Sequence, residues 1–225
     1  MQTRYSTIIL IATIGMFTSC NHHPKAIVNS LPENSKAITL KLVDSLGIVT
    51  FAIPNRYDTF FQWTDWSDCG KPCTEIEYRY QSKRFPIFLE SGFMHDYLKD
   101  SVDEFTIEHA ADLYYRDGRF GRGTFDRILN NHKYGIDELR KMEGYQVKFD
   151  TVEKINDRYF SIIMYEHYDS TQSEFVKSAS AETTIRNNGI SFCYTLLTKK
   201  NDSISETFIE NAKKLIQTIK ISNGI

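Results

Sequence analysis

The chain has 225 residues, 41% of them hydrophobic and 25% charged, the proportions of an ordinary globular protein and not of a disordered or membrane-embedded one. Its 27 Lys and Arg against 29 Asp and Glu leave a formal charge of −2, without the basic excess of a nucleic-acid or general anionic-surface binder. With 13 Tyr and 15 Phe, the composition favours a β-rich fold that buries large side chains.

At the N-terminus, Arg4 is the only basic residue ahead of an apolar run from Ile8 to Phe17, which closes on Phe17-Thr18-Ser19-Cys20. That run is too short to cross a bilayer as a helix and has the layout of a secretory signal. Ser19 directly before Cys20 is the bacterial lipobox pattern, with Phe17 standing where Leu is usual. Residues 1–19 are therefore expected to be a lipoprotein signal peptide, and Cys20 the first mature residue, lipidated on its thiol and acylated on its amine. Residues 20–36 contain little that packs and read as a flexible polar tether. Residues 37–225 are expected to form a single α+β domain, and no later stretch approaches the length of a transmembrane helix. The N-terminus resembles that of Bacteroidetes-type lipoproteins, in which an early acidic cluster favours export to the outer face. Here the first acid after Cys20 is Glu33, so the resemblance implies a lipid anchor in the outer membrane facing the periplasm.

Ala37 to Val43 and Gly47 to Ile53 are predicted strands around Asp44-Ser45, with Pro54 stopping the second. Asn55 to Cys73 reads as irregular and dense in aromatics: Tyr57, Phe60, Phe61, Trp63 and Trp66. Glu75 to Tyr80 alternates with period two, placing Ile76, Tyr78 and Tyr80 on one strand face. Pro86 to Ser91 and Glu104 to Ile107 are shorter strand candidates. Residues 109–124 are glycine-rich; Thr124 is expected to cap a helix through Asn131, and Ile136 to Glu143 to form a second, stopped at Gly144. Tyr145 to Ile155 and Arg158 to Tyr168 are strands around Asn156-Asp157, spaced as a two-residue hairpin. Phe175 to Arg186 and Ile190 to Thr198 follow, joined through Asn187-Asn188-Gly189. Ser203-Ile204-Ser205-Glu206 has the form of a capping box, and Phe208, Ala212, Leu215 and Ile219 make one apolar helical stripe. The expected fold class is α+β: a twisted antiparallel sheet packed by helices, with a C-terminal amphipathic helix.

The strand Gly189 to Leu196, the helix ending Leu215 to Ile221, and the early strand Gly47 to Pro54 together resemble the PsbP-like fold. That resemblance implies a twisted antiparallel sheet covered by helices and an accessory or assembly role; it brings no catalytic residues to this chain.

Chemistry-bearing residues are few. Cys69-Gly70-Lys71-Pro72-Cys73 brings two thiols close in an oxidising compartment, and a structural disulfide that rigidifies a loop is the simplest use of them. A redox pair or a copper site is the sharper alternative, but a predicted strand follows Cys73 where a thioredoxin-like motif opens a helix. Cys193 falls on the face of its strand opposite Ile190, Phe192, Tyr194 and Leu196, as an unreactive thiol or a partner for Cys69 or Cys73. No two His are spaced with a Glu in the zinc-protease manner; His22-His23 read as solvated, and no metal site or cofactor is expected. No Gly-x-Ser-x-Gly occurs. Arg116, Arg119 and Arg122 alternate with Gly118, Gly121 and Gly123; freed amides beside guanidiniums suit a phosphate or carboxylate, although glycine clusters mostly mark solvated turns. Trp63 and Trp66 are candidates for stacking on a partner, while packing onto the sheet is the simpler account of the same aromatics.

These residues point to a membrane-anchored envelope lipoprotein, a non-catalytic binding or assembly-accessory module. Its partners are the membrane, through the N-terminal lipid, and an envelope protein, with no nucleic acid. The alternative is a periplasmic thiol-redox or copper-handling protein using Cys69 and Cys73.

Overall fold

A computed structural model describes residues 31–43, 46–66, 74–85, 101–110, 125–171, 173–185, 188–199 and 202–222. The strands are β1 (Ser35–Lys41), β2 (Ile48–Pro54), β3 (Thr59–Asp65), β4 (Glu75–Gln81), β5 (Val102–Ala110), β6 (Gln146–Ile155), β7 (Arg158–Asp169), β8 (Glu174–Ile185), β9 (Asn188–Thr198) and β10 (Lys220–Ser222). Two helices, α1 (Phe125–Lys141) and α2 (Ser203–Ile216), complete the described elements. The strands form a three-stranded sheet, β1-β2-β10, and a seven-stranded sheet, β3-β4-β5-β9-β8-β7-β6, with antiparallel neighbours throughout. The α+β class and its C-terminal helix are therefore as the alternation and the apolar stripe predict.

Period-two alternation decides what each face of the large sheet does. Ile76, Tyr78 and Tyr80 of β4 lie on one face with Phe105 and Ile107 of β5, Phe192, Tyr194 and Leu196 of β9, and Ile162 and Met164 of β7. All are buried, and the small sheet joins them in one core: Phe51 of β2 lies 5.0 Å from Phe105 and 5.6 Å from Tyr80, ring centroid to centroid. Helix α2 packs on β2, β8 and β9 through Phe208, Ala212 and Leu215. Helix α1 covers the opposite face, but only where β6 and β7 lie.

Several elements differ from the sequence reading. The aromatic stretch after Asn55 contains a full strand, β3, at the edge of the large sheet, where Phe60 and Gln62 face solvent and the alternation carries little burial signal. Glu104 to Ile107 is the centre of the longer β5. The two expected helices are one, α1, running through Gly135. A Cβ at Gly135 would sit 3.2 Å from Ile163 Cδ1, so glycine there lets the helix approach β7 closely and does not end it. The chain does turn at Gly144, whose φ of +83° suits glycine.

The N-cap of α2 is Asp202, whose carboxylate accepts from the Ser205 backbone N–H at 2.9 Å; Ser203 is already helical. That helix stops at Ile216, and the residues after it form β10 against β2. Thr218 makes the change of direction: its hydroxyl donates to the Leu215 carbonyl at 2.6 Å and accepts from Ala52 N–H at 2.8 Å. The β6–β7 hairpin turns at Asn156, φ 53°, whose amide donates to the Ile219 carbonyl at 2.7 Å. Pro86 to Ser91 and Thr124 lie outside the described residues.

Phe105 is fully buried between Phe51 and Tyr194, the latter at 4.3 Å. Replacing it with Ala is expected to cost about 3–5 kcal/mol, measured as a shift in the denaturant midpoint at constant slope. A loss below about 1 kcal/mol would show that the two sheets do not depend on this contact.

Candidate functional site

The face of the large sheet that α1 leaves uncovered on β4, β5, β9 and β8 is polar, and the strand register arranges it in three rungs. Glu77 faces Glu108, which faces Ser191, which faces Glu182. Arg79 faces Thr106, then Cys193, then Ser180. Gln81 faces Glu104, then Thr195, then Ser178. With Gly135 and Leu139 of α1 forming one wall, these residues other than Gln81 line a groove of about 440 Å³. A second hollow of about 390 Å³ shares Glu108, Glu182 and Ser191 with it and adds Glu75, Arg127 and Asn131.

Carboxylates outnumber cations here. Arg79 donates to Glu77 at 2.9 Å and pairs with Glu104 at 3.4 Å, while its guanidinium carbon lies 4.8 Å from the Trp63 ring centroid on β3. Trp63 Nε1 in turn donates to Asp65 Oδ1 at 2.9 Å. Burial lifts the Glu77 carboxyl to about 7 despite this partner, because desolvation outweighs the attraction of Arg79 and Glu108 adds repulsion. Burial likewise raises Glu108, with the Glu75 carboxylate as the next cause. Two like charges directly opposite one another on a ladder destabilise it. The Glu77–Glu108 rung therefore conflicts with folding, the kind of local conflict expected where a site is built.

Several sequence-predicted residues lie close to this groove or outside the description. Trp63 is half-buried beneath Arg79, and Trp66, one residue past β3, is 81% exposed. Of the five aromatics, only Tyr57 is fully in the core; Phe60 and Trp66 are exposed, against the packing account. Cys20, Cys69, Cys73, Arg116, Arg119 and Arg122 lie outside the described residues. Cys193 carries a free thiol that faces the groove beside Ser178 Oγ (3.4 Å) and Thr195 Oγ1 (3.5 Å), and burial pushes its pKa up, so it is a poor nucleophile.

The groove acids occupy the charged half of each alternation, which in the sequence looks like an ordinary solvent face. In Glu75-Ile76-Glu77-Tyr78-Arg79-Tyr80, the charged positions share a face just as the apolar ones do. Glu104-Phe105-Thr106-Ile107-Glu108 repeats the pattern, and pairing the two strands would have brought the carboxylates together.

A serine, a histidine and an aspartate do meet beside the second hollow, which Ser161 lines. His132 of α1 has Nδ1 3.1 Å from Ser161 Oγ and Nε2 3.5 Å from Asp150 Oδ1. Ser161 is buried in mid-strand and sits in register with both Val152 and Glu182, so its backbone belongs to the ladders and does not form an oxyanion hole. The arrangement ties α1 to β6 and β7. Among the described residues no group of His, Cys, Asp and Glu is placed to hold a metal ion, and no helix is long and apolar enough to cross a membrane.

No known family and no curated protein matches the chain. Solved structures similar to it include cyanobacterial PsbP (CyanoP) from Synechocystis, at 11% identity and a TM-score of 0.39, covering 92% of this chain and 100% of that one. LpqN of Mycobacterium tuberculosis, a protein involved in cell envelope biogenesis, matches at 11% identity and 0.38, covering 84% and 91%. The Saccharomyces cerevisiae Ran-binding protein Mog1p matches at 8% and 0.40, covering 83% and 95%. The PsbP-like likeness expected from the C-terminal strand and helix is thus found, as a weak match of low identity. Likenesses at this level transfer no ligand, partner or compartment.

An unfolded glutamate ionises near about 4.3, whereas folded Glu77 holds its proton to about 7. The folded state therefore binds more protons across that window, and stability falls as pH rises through it. In Glu77→Gln the melting temperature relative to wild type is expected to become more positive from pH 5 to pH 8, by at least about 2 °C. A difference that stays constant with pH would remove Glu77 as the titrating group.

Proposed function

We propose that this chain is a membrane-anchored envelope lipoprotein whose folded part binds another envelope component through the carboxylate groove and the neighbouring Trp66. In this reading Cys20 carries the lipid, residues 20–36 give reach, and the domain faces the periplasm from the outer membrane. The partner presents a basic segment: its ammonium or guanidinium groups relieve the repulsion between Glu77 and Glu108, which Arg79 only partly offsets. The observation that carries the reading is that facing pair of desolvated carboxyl groups, crowded enough that Glu77 holds its proton to about 7, on an otherwise regular ladder. Trp66 supplies the apolar contact, since it is exposed one residue beyond Asp65, the residue of β3 in register with Glu75.

The test is a photo-crosslinking residue at position 66 in cells, combined with Glu108→Lys and Glu182→Lys. An adduct with one envelope protein is expected, lost on charge reversal; an adduct indifferent to both substitutions would sink the groove as the contact. Trp66→Ala should weaken binding of that partner about tenfold while leaving the melting temperature unchanged. Cys20→Ala should move the protein from the membrane pellet to the soluble fraction, and a protein still pelleting with membranes would remove the lipid anchor.

A further inference from the structure

On the opposite side of β5 from the groove lies a separate cavity of about 460 Å³, walled by α2, the end of β2 and residues 32–35. The size is within the range of small-molecule sites, about 300–1,000 Å³. Its floor is apolar: Tyr57, Tyr194, Phe208 and Leu215 are all buried. The Tyr194 hydroxyl is spent on the Ala52 carbonyl at 2.6 Å and the Tyr57 hydroxyl on Asp103 Oδ2 at 2.7 Å, so both rings present carbon to the cavity.

The charges around it are arranged asymmetrically. Asp103 is completely buried and takes the Arg56 guanidinium through both oxygens, with Nε to Oδ1 at 3.4 Å and Nη2 on Oδ2. Both residues line the cavity, but the Arg56 side chain is 41% exposed and the Asp103 side chain not at all, so the half of the pair open to a ligand is the cation. Asp103 consumes two of the five guanidinium N–H groups and fixes the plane in which the others point. Lys214 on α2 adds a second cation, and the exposed Glu33 is the other carboxylate lining the cavity.

A pre-oriented guanidinium beside an aromatic and aliphatic floor recognises one kind of molecule. We propose that this cavity binds a small anionic amphiphile, its carboxylate or phosphate head on Arg56 and Lys214 and its apolar body on Tyr57, Tyr194, Phe208 and Leu215. A free acid and a lipid-derived phosphate share that chemistry. The site is independent of the groove and of whatever protein binds there.

The full-length protein in phosphatidylcholine nanodiscs, titrated calorimetrically against empty nanodiscs with octanoate, octyl phosphate and octylamine, tests it. One saturable site is expected for the anions and none for octylamine; a preference for octyl phosphate points to a lipid head as source, and a preference for octanoate to a free acid. Arg56→Gln should weaken the anion about tenfold, as loss of a charged hydrogen bond does. It also strands Asp103, so two variants on the exposed side of α2 carry the test if it unfolds. Lys214→Gln should weaken binding about threefold, and Thr207→Trp should block the cavity, both with an unchanged melting temperature. No saturable heat with either anion, octylamine binding as tightly as octanoate, or anion binding indifferent to Lys214→Gln and Thr207→Trp would each overturn the proposal.

Discussion

The rest of the structure depends on the aromatic seam between the two sheets. Phe51 on β2 meets Tyr80 and Phe105, and Phe105 meets Tyr194, so the small sheet shares its core with the large one. Because β4, β5 and β9 bury alternate residues in that seam, their remaining residues must occupy the other face. A one-residue slip would exchange Tyr78 and Phe105 for Glu77 and Glu104, an exchange far too costly to be populated. The seam therefore fixes the carboxylates of the groove in place as firmly as it fixes the core.

Hydrogen bonds between the layers reinforce this by spending polar groups that the seam would otherwise strand. Tyr78 accepts the Val43 N–H at 3.0 Å and lies 3.2 Å from His109 Nε2; Tyr194 donates to Ala52; Thr218 takes the Ala52 N–H. A tyrosine buried in a core needs such a partner; Ala52 belongs to the small sheet and Val43 to the loop within it, while His109 stands on β5. The phenols thus act as pins between layers, which accounts for a tyrosine-rich core where phenylalanine alone would have filled the volume.

What was legible in the sequence follows from how each signal arises. Strands β4 and β6 to β9 alternate over their length against a buried face, and a period-two pattern records burial directly. The edge strand β3 has little burial to record, so Thr59 to Asp65 looks irregular although its backbone is regular. The break expected between Asn131 and Ile136 falls across Gly135, and only Ile163 on a distant strand shows why a side chain is unwelcome there. Ile219 continues the helical stripe of Phe208, Ala212 and Leu215 and is buried as that stripe predicts, yet it stands beyond the helix, because Thr218 has already turned the chain towards β2. The groove was hidden for a different cause: its residues are spread over four strands, and no local window contains the Glu77–Glu108 rung.

Strand β5 shows how one element can serve two sites of opposite character. Asp103 and Glu104 are consecutive, so they point to opposite faces, and each holds an arginine: Arg56 for Asp103 and Arg79 for Glu104. On the core side the carboxylate is buried and the guanidinium reaches the cavity, leaving a cation in view. On the groove side one guanidinium is shared between Glu77 and Glu104 with Glu108 and Glu182 nearby, leaving acid in excess. The two ion pairs use the same chemistry: on the core side the burial of the acid leaves the cation in view, and on the groove side, where Arg79 and Glu77 are equally buried, the excess of carboxylates sets the sign. Asp103 and Glu104 keep to their own faces because the backbone between them is held in register by Leu196 and Thr195 of β9.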